Sequence, residues 1–237
     1  MTIVTSTPAR RRKAVRRNEI LAAAHAVFTA KPFESASISE IAALAGCVDG
    51  TIYTYFKNKR DLFDAVLADY YDRLIADIEP RFESIRSTRD RLSFLIARHL
   101  QIAVDDPGVS QMILRESRGQ SLYFGSKLHA LNRRYSRFLL RTLSDGIERG
   151  ELRAELNTAM ARDMLFGGLE HMIWNELGRH RRIDPAGSAE QIVSMLLEGW
   201  LVKGKTQSQD QSLSQIEQLR ERLDRLESQV MTVGRRK

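Results

Sequence analysis

Ser37-Ile38-Ser39-Glu40-Ile41-Ala42-Ala43-Leu44-Ala45-Gly46-Cys47-Val48-Asp49-Gly50-Thr51-Ile52-Tyr53-Thr54-Tyr55-Phe56-Lys57-Asn58-Lys59-Arg60-Asp61 is the stretch whose reading decides the fold. Ser37 followed by Glu40 is a capping box: each side chain satisfies a free amide at the start of a helix, which then presents Ile41, Leu44 and Ala45 to a core. Gly46 ends that helix, because glycine enters the left-handed turn at no steric cost. A second short helix is expected from about Val48 to Phe56. Ile52 and Phe56, four apart, share its inner face, and Thr51, Tyr53, Thr54 and Tyr55 point elsewhere. Two helices joined by a short glycine turn form a helix-turn-helix, whose second member fits the major groove of DNA.

Working outward from this stretch, the segment before it predicts a helix from about Ala14 to Ala30, with Ile20, Leu21, Ala24, Val27 and Phe28 on one face and Pro32 as the stop. The three helices make a small bundle with Phe28, Phe33, Ile38, Ile41, Leu44, Ile52 and Phe56 as its expected core. Residues 1–13 lack periodicity and end in a basic run, so they read as a disordered arm. After the stretch, Asn58 caps a fourth helix with Asp61 in the reciprocal position. Its apolar stripe, from Leu62 and Phe63 through Val66, Leu67, Tyr70, Leu74, Ile75 and Ile78, runs to Pro80 and is too wide for one partner. This helix should link the bundle to whatever follows.

Gly46 through Phe56, the following Lys57-Asn58-Lys59 and the Ile41-Ala42 pair resemble the DNA-binding segment of the TetR family of bacterial transcriptional regulators. The close resemblance covers about Ala14 to Leu74; beyond it, helical layout and length agree. The resemblance implies a helix-turn-helix domain over 14–74 and a helical ligand-binding and dimerisation domain over 75–202. It also implies that the chain acts as a homodimer on a double-stranded DNA operator and answers to a small-molecule effector, most simply as a repressor.

Thr51, Tyr53, Tyr55 and Lys59 carry donors suited to phosphate oxygens, and by resemblance Ser37 does too. Val48, Asp49, Gly50 and Thr54 correspond to the family's variable positions near base edges. Gly50 allows close approach, and Thr54 can donate, accept or offer its methyl to thymine. Asp49 can accept from a cytosine amino group or stabilise the positive end of the recognition helix.

Composition agrees with this class. The chain has 237 residues, 43% of them hydrophobic and 28% charged, and carries a formal net charge of +7. Ten basic residues face four acidic ones between residues 1 and 60, so most of the surplus lies beside the helix-turn-helix. No apolar run is long enough to span a membrane and no apolar leader opens the sequence, which predicts a cytoplasmic protein with no membrane partner. The lone Cys47 excludes an internal disulfide and any multi-cysteine zinc site. His25, His99, His129, His171 and His180 are scattered, with neither metal-ligand spacing nor a nucleophile motif around them, so no cofactor and no enzyme chemistry are expected. An enzyme built on the helical domain and an architectural DNA protein without an inducer are the competing classes. The second would not need so large an apolar domain.

The remainder predicts an all-α architecture. Helices are expected over 88–105, broken by Pro107-Gly108, then over 109–118 and about 122–149. Another is capped by Asn157 and carries Gly167-Gly168 at its middle, and one starts at Asp184-Pro185. Two adjacent glycines inside a helix cost about 2 kcal/mol relative to alanine, so another helix should approach them closely. In the TetR family the two corresponding helices form a four-helix interface between subunits. Residues 203–212 read as a linker. Ile216, Leu219, Leu223, Leu226, Val230 and Val233 then space a helix over 213–233 that forms either a short parallel coiled coil or a helix packed on its own subunit.

Family members hold a small molecule between the middle helices. Candidate linings here are Tyr70, Leu74, Phe94, His99, Ile102, Met112, Tyr123, Phe138, Phe166, Met172 and Trp174. For any single one of them ordinary core packing is the favoured explanation. Their aromatic and methionine content suits a largely apolar effector. Asp49-Gly50-Thr51-Ile52-Tyr53 with Lys57-Asn58-Lys59 is similar to regulators of fatty-acid metabolism that respond to acyl-CoA, which makes acyl-CoA a candidate.

Overall fold

The computed structural model describes residues 8–119, 123–179 and 183–201, and the 203–212 linker and the 213–233 helix lie outside that set. Among the described residues the architecture is all-α, with one isolated antiparallel bridge, Leu152 to Leu201, and no strand.

The first helix, α1 (Pro8–Ala30), begins earlier than its apolar pattern predicted, so residues 8–13 are helical and do not belong to an arm. Pro8 occupies the first helical position, where a missing amide hydrogen removes no bond and its fixed φ favours the helix. Ile20, Leu21, Ala24, Val27 and Phe28 are buried as the pattern required. A 3-10 turn, Phe33–Ser35, leads into α2 (Ile38–Leu44), followed by α3 (Asp49–Tyr53) and α4 (Lys59–Ser84). Leu44 is 59% exposed and does not join the core. The buried stripe of α2 is Ile38, Ile41 and Ala42, and Leu44, two positions after Ala42, falls off that face. The second helix of the motif is also shorter than expected. Thr54 is its C-cap, and Phe56 reaches the core from the segment after it.

Asn58 caps α4 as predicted, accepting from the Asp61 amide at 2.9 Å; Asp61 answers by accepting from the Lys57 amide at 2.9 Å, one residue before the cap. The helix does not stop at Pro80. A proline inside a helix removes one hydrogen bond and crowds the preceding turn. Here the last turn is held by Phe82, which is fully buried, packs edge-on against Phe138 at 5.1 Å between centroids, and lies under the Arg91 and Arg141 guanidinium groups.

The larger part of the chain follows. It comprises α5 (Thr88–Asp105), α6 (Pro107–Gly119), α7 (Lys127–Glu148), α8 (Thr158–Arg179) and α9 (Pro185–Trp200). Pro107-Gly108 does not lie between helices as a loop: Asp106 alone is the joint, and Pro107 starts α6. Ser126 caps α7, five residues inside the predicted start. Asn157 accepts from the Met160 amide at 3.0 Å, and Asp184 caps α9, both as the sequence indicated. The helix α5 is the centre of this part, packed against α9, α7, α6 and α8. Buried side chains form one continuous cluster from Ile20 to Trp200, and α4 crosses the expected boundary at residue 74 without a break.

Candidate nucleic-acid interface and effector cavity

Local sequence builds the helix-turn-helix. Ser37 Oγ accepts from the Glu40 amide at 3.1 Å and Glu40 accepts from the Ser37 amide at 3.2 Å, closing the capping box. Lys31 and these Ser37 bonds hold the Glu40 carboxyl below the usual carboxylate range. Gly46 takes φ 63, and the amides of Gly46 and Cys47 return to the carbonyls of Ala43 and Ala42 at 3.2 and 2.9 Å, so the turn satisfies the end of α2 and aims α3. Ser39 donates to Asp49 at 2.6 Å, tying α2 to the first residue of α3. That bond gives Asp49 a structural partner.

The outer face of α3 is open. Val48, its N-cap, is 72% exposed and makes no side-chain cap bond, and Tyr53 is 53% exposed. A side chain added at Gly50 would meet nothing within 4 Å. Thr54 donates to the Thr51 carbonyl at 2.7 Å and keeps its acceptor and methyl exposed, while Thr51 itself is half-buried. Tyr55 packs on the core with the Lys13 ammonium 5.9 Å above its ring, and Arg17 stands over Phe56 at 5.5 Å. Basic side chains of α1 therefore border α3. Lys59 departs from the expectation of a free phosphate donor. Its ammonium donates to the carbonyls of Phe33 at 2.8 Å, Ala36 at 2.9 Å and Glu34 at 3.4 Å, and sits 4.5 Å from the Phe33 ring centre. All three of its hydrogens thus face protein carbonyls.

A cavity of about 720 Å³ lies among α4, α5, α6, α7 and α8. Of the residues expected to line it, Tyr70, Leu74, His99, Ile102, Tyr123 and Phe166 do so. Phe94, Met112, Phe138, Met172 and Trp174 do not. Met112 is buried in the core and Phe138 covers Phe82. Phe94 and Met172 pack half-buried on the core, and Trp174, 60% exposed, stands in an outer groove with Arg115 and Arg118. Sequence reasoning missed the polar half of the wall: Tyr71, Ser110, Asn132, Arg133, Tyr135 and Ser136, with Arg162, Asp163 and Glu170. The one signal available was the Tyr70-Tyr71 pair, which places a phenol on two adjacent faces of one helix.

Tyr71 donates to Asn132 Oδ1, and Asn132 donates to the Tyr123 hydroxyl at 2.8 Å. His99 Nδ1 lies 3.3 Å from the Tyr135 hydroxyl, with the two rings stacked 5.8 Å apart. Burial away from bulk water pushes the His99 imidazole down to about 4 and pushes the phenols of Tyr70, Tyr71 and Tyr135 up.

The helix α6 touches both the cavity and the helix-turn-helix bundle. Ser110, Ile113 and Leu114 line the cavity. A Cβ at Gly108 would come within 2.8 Å of Thr29 on α1, and Asp106, at the foot of α6, is 3.4 Å from His25 on α1. Further along, Glu116 pairs with Arg60 at the start of α4, which also holds Asp64 at 3.0 Å.

Residues 20–66 match the pattern of bacterial regulatory proteins of the tetR family, and residues 68–199 match the C-terminal region of YsiA-like proteins. The chain belongs to the TetR family. This TetR-family chain is 25% identical over 181 residues to the fatty acid metabolism regulator protein of Bacillus subtilis, covering 76% of itself and 93% of that protein. It is 24% identical over 201 residues to the transcriptional repressor KstR2 of Rhodococcus jostii, covering 79% and 92%. The solved structure of FadR from Bacillus subtilis in complex with stearoyl-CoA superposes with a TM-score of 0.71 at 25% identity, over 77% of this chain and 98% of that one. Like its relatives, the TetR-family chain is a DNA-binding transcriptional regulator.

Proposed function

We propose that this TetR-family regulator is a homodimeric repressor that leaves its operator when an acyl-CoA-like molecule enters the cavity, and that it has no enzymatic activity and works in the cytoplasm. The observation that carries the reading is a continuous physical path. Helices α4 and α6 each touch the cavity on one stretch and the helix-turn-helix bundle on another. A ligand with different affinity for two arrangements of those helices would change the geometry of the reading head.

In this reading, exposed Tyr53 with Thr51 and Tyr55 takes phosphates, and Val48, Gly50 and Thr54 face base edges. Dimerisation follows from α8 and α9. Met160, Met164 and Trp174 are exposed along α8 beside Gly167 and Gly168, neither of which has a neighbour within 4 Å of an added Cβ, and Met195 is 75% exposed on α9. An apolar stripe with two uncovered glycines at its middle suits the close approach of a second copy. Two copies would place their recognition helices on successive major grooves, roughly 34–36 Å apart.

The effector class rests on size and amphipathic lining. The volume falls within the range of small-molecule sites, about 300–1,000 Å³. Leu74, Ile102, Ile113, Leu114, Phe166 and Ile173 suit an apolar tail, and Arg133 supplies positive charge for an acidic headgroup, while Arg162 is paired with Asp163. Stearoyl-CoA in the Bacillus subtilis FadR complex has that chemistry. Selection of bound duplexes from a random pool, followed by a shift assay with acyl-CoA, tests the proposal. A preferred duplex that is released by the thioester is the expected result. Binding without sequence preference would favour the architectural reading, and an operator complex indifferent to every acyl-CoA would exclude that effector.

A further inference from the structure

The hydrogen-bond accounting of the cavity wall points beyond a plain hydrocarbon tail. Four of the six tyrosines in the chain, Tyr70, Tyr71, Tyr123 and Tyr135, line this one cavity. Tyr71 is satisfied by donating to Asn132, and Tyr135 shares its hydroxyl with His99. Tyr123 accepts from Asn132, which leaves its own proton to place. Among the described residues no acceptor meets that proton, nor the hydroxyls of Tyr70 and Ser110. Burial keeps the Tyr70 phenol protonated, and Ser110 is only 7% exposed. Water can serve these groups while the cavity is empty of ligand. A saturated chain would expel that water and offer nothing in return, and each buried hydroxyl left unmatched weakens binding by about tenfold.

We infer that the physiological effector carries a hydroxyl or ketone oxygen within its buried hydrophobic part, received by one or more of the hydroxyls of Tyr123, Tyr70 and Ser110. This rests on the acyl-CoA reading of the same cavity and narrows it to oxygen-substituted acyl thioesters. The ligand oxygen accepts from whichever of these hydroxyls it reaches, and a ligand hydroxyl can also donate. Such a site separates oxygenated from unsubstituted ligands more sharply than an apolar pocket separates chain lengths, because the former leave fewer wall hydroxyls bare.

Calorimetric titration of the full-length protein with stearoyl-CoA and with its hydroxy and oxo analogues, the oxygen moved stepwise along the chain, tests this. Affinity is expected to peak at one position, at least about tenfold above stearoyl-CoA. Of Tyr123→Phe and Tyr70→Phe, each checked by thermal melting, at least one should weaken that best analogue about tenfold more than it weakens stearoyl-CoA. Tight binding of stearoyl-CoA with no better oxygenated analogue, or a peak that survives both substitutions, would overturn the oxygen assignment and leave the acyl-CoA reading standing. If no thioester of the series binds while operator binding persists, both are wrong.

Discussion

Lys59 illustrates how one side chain can hold a place in a DNA-binding motif for reasons internal to the fold. Its ammonium closes off the carbonyl end of the Phe33–Ser35 turn and covers the Phe33 ring, so it fixes the junction between α1 and α2. Lys59→Ala is therefore expected to lower stability by about 1–3 kcal/mol in urea denaturation, the usual worth of charged hydrogen bonds, as well as weakening operator binding. Tyr53→Ala should weaken binding to all duplexes while leaving the denaturation midpoint in place, since Tyr53 is exposed and its hydroxyl bonds nothing in the protein. Equal stability losses in the two variants would contradict the distinction. His99 makes a separate prediction. Its imidazole titrates near 6.5 when unfolded and about 4 when folded, so below pH 6.5 the unfolded chain takes up a proton that the native state refuses. Stability is full above pH 6.5 and falls by about 3 kcal/mol as the pH drops to 4, a loss that His99→Phe should remove from the pH profile of the urea midpoint. Neither role was legible in the sequence, because both depend on partners brought from distant segments: 26 residues away for Lys59 and 36 for His99.

Elements were far more legible, for the reason that their ends are chemically local. Ser37, Asn58, Asn157 and Asp184 each cap the helix that follows them by reaching an amide three residues ahead, and that spacing is written in the sequence. What escaped were helix extensions decided elsewhere: the first turns of α1, which need no apolar face, and the passage of α4 through Pro80, which the packing of Phe82 supports. The α6 helix was foreseen, but its partners were not, since Gly108 looks like a breaker until Thr29 is placed against it. Because Glu116 joins α6 to Arg60, Glu116→Gln should reduce the effect of a bound effector on operator affinity by about threefold or more, with effector affinity in the absence of DNA retained. Titrations of effector with and without operator measure that coupling, and an undiminished coupling would show that α6 communicates by another contact.

Across the whole molecule, the exposed stripe on α8 predicts the assembly. Met164→Arg should convert a dimer to a monomer in sedimentation experiments and lower operator affinity roughly hundredfold, because each half-site would then be bound separately. A monomer that kept full affinity would defeat the paired-head geometry. The unbroken course of α4 has a further mechanical meaning. At about 1.5 Å per residue, its 26 residues form a stiff rod about 39 Å long. Tyr70 and Leu74 project from it into the cavity near its middle, and Asn58 and the reading head ride on one tip. Rotating such a lever by only about three degrees about its opposite tip carries the head some 2 Å, roughly the reach of one hydrogen bond. With two levers swinging in mirrored senses, a guest molecule has only to nudge each by that small angle for the pair to fall out of step with the pitch of the double helix.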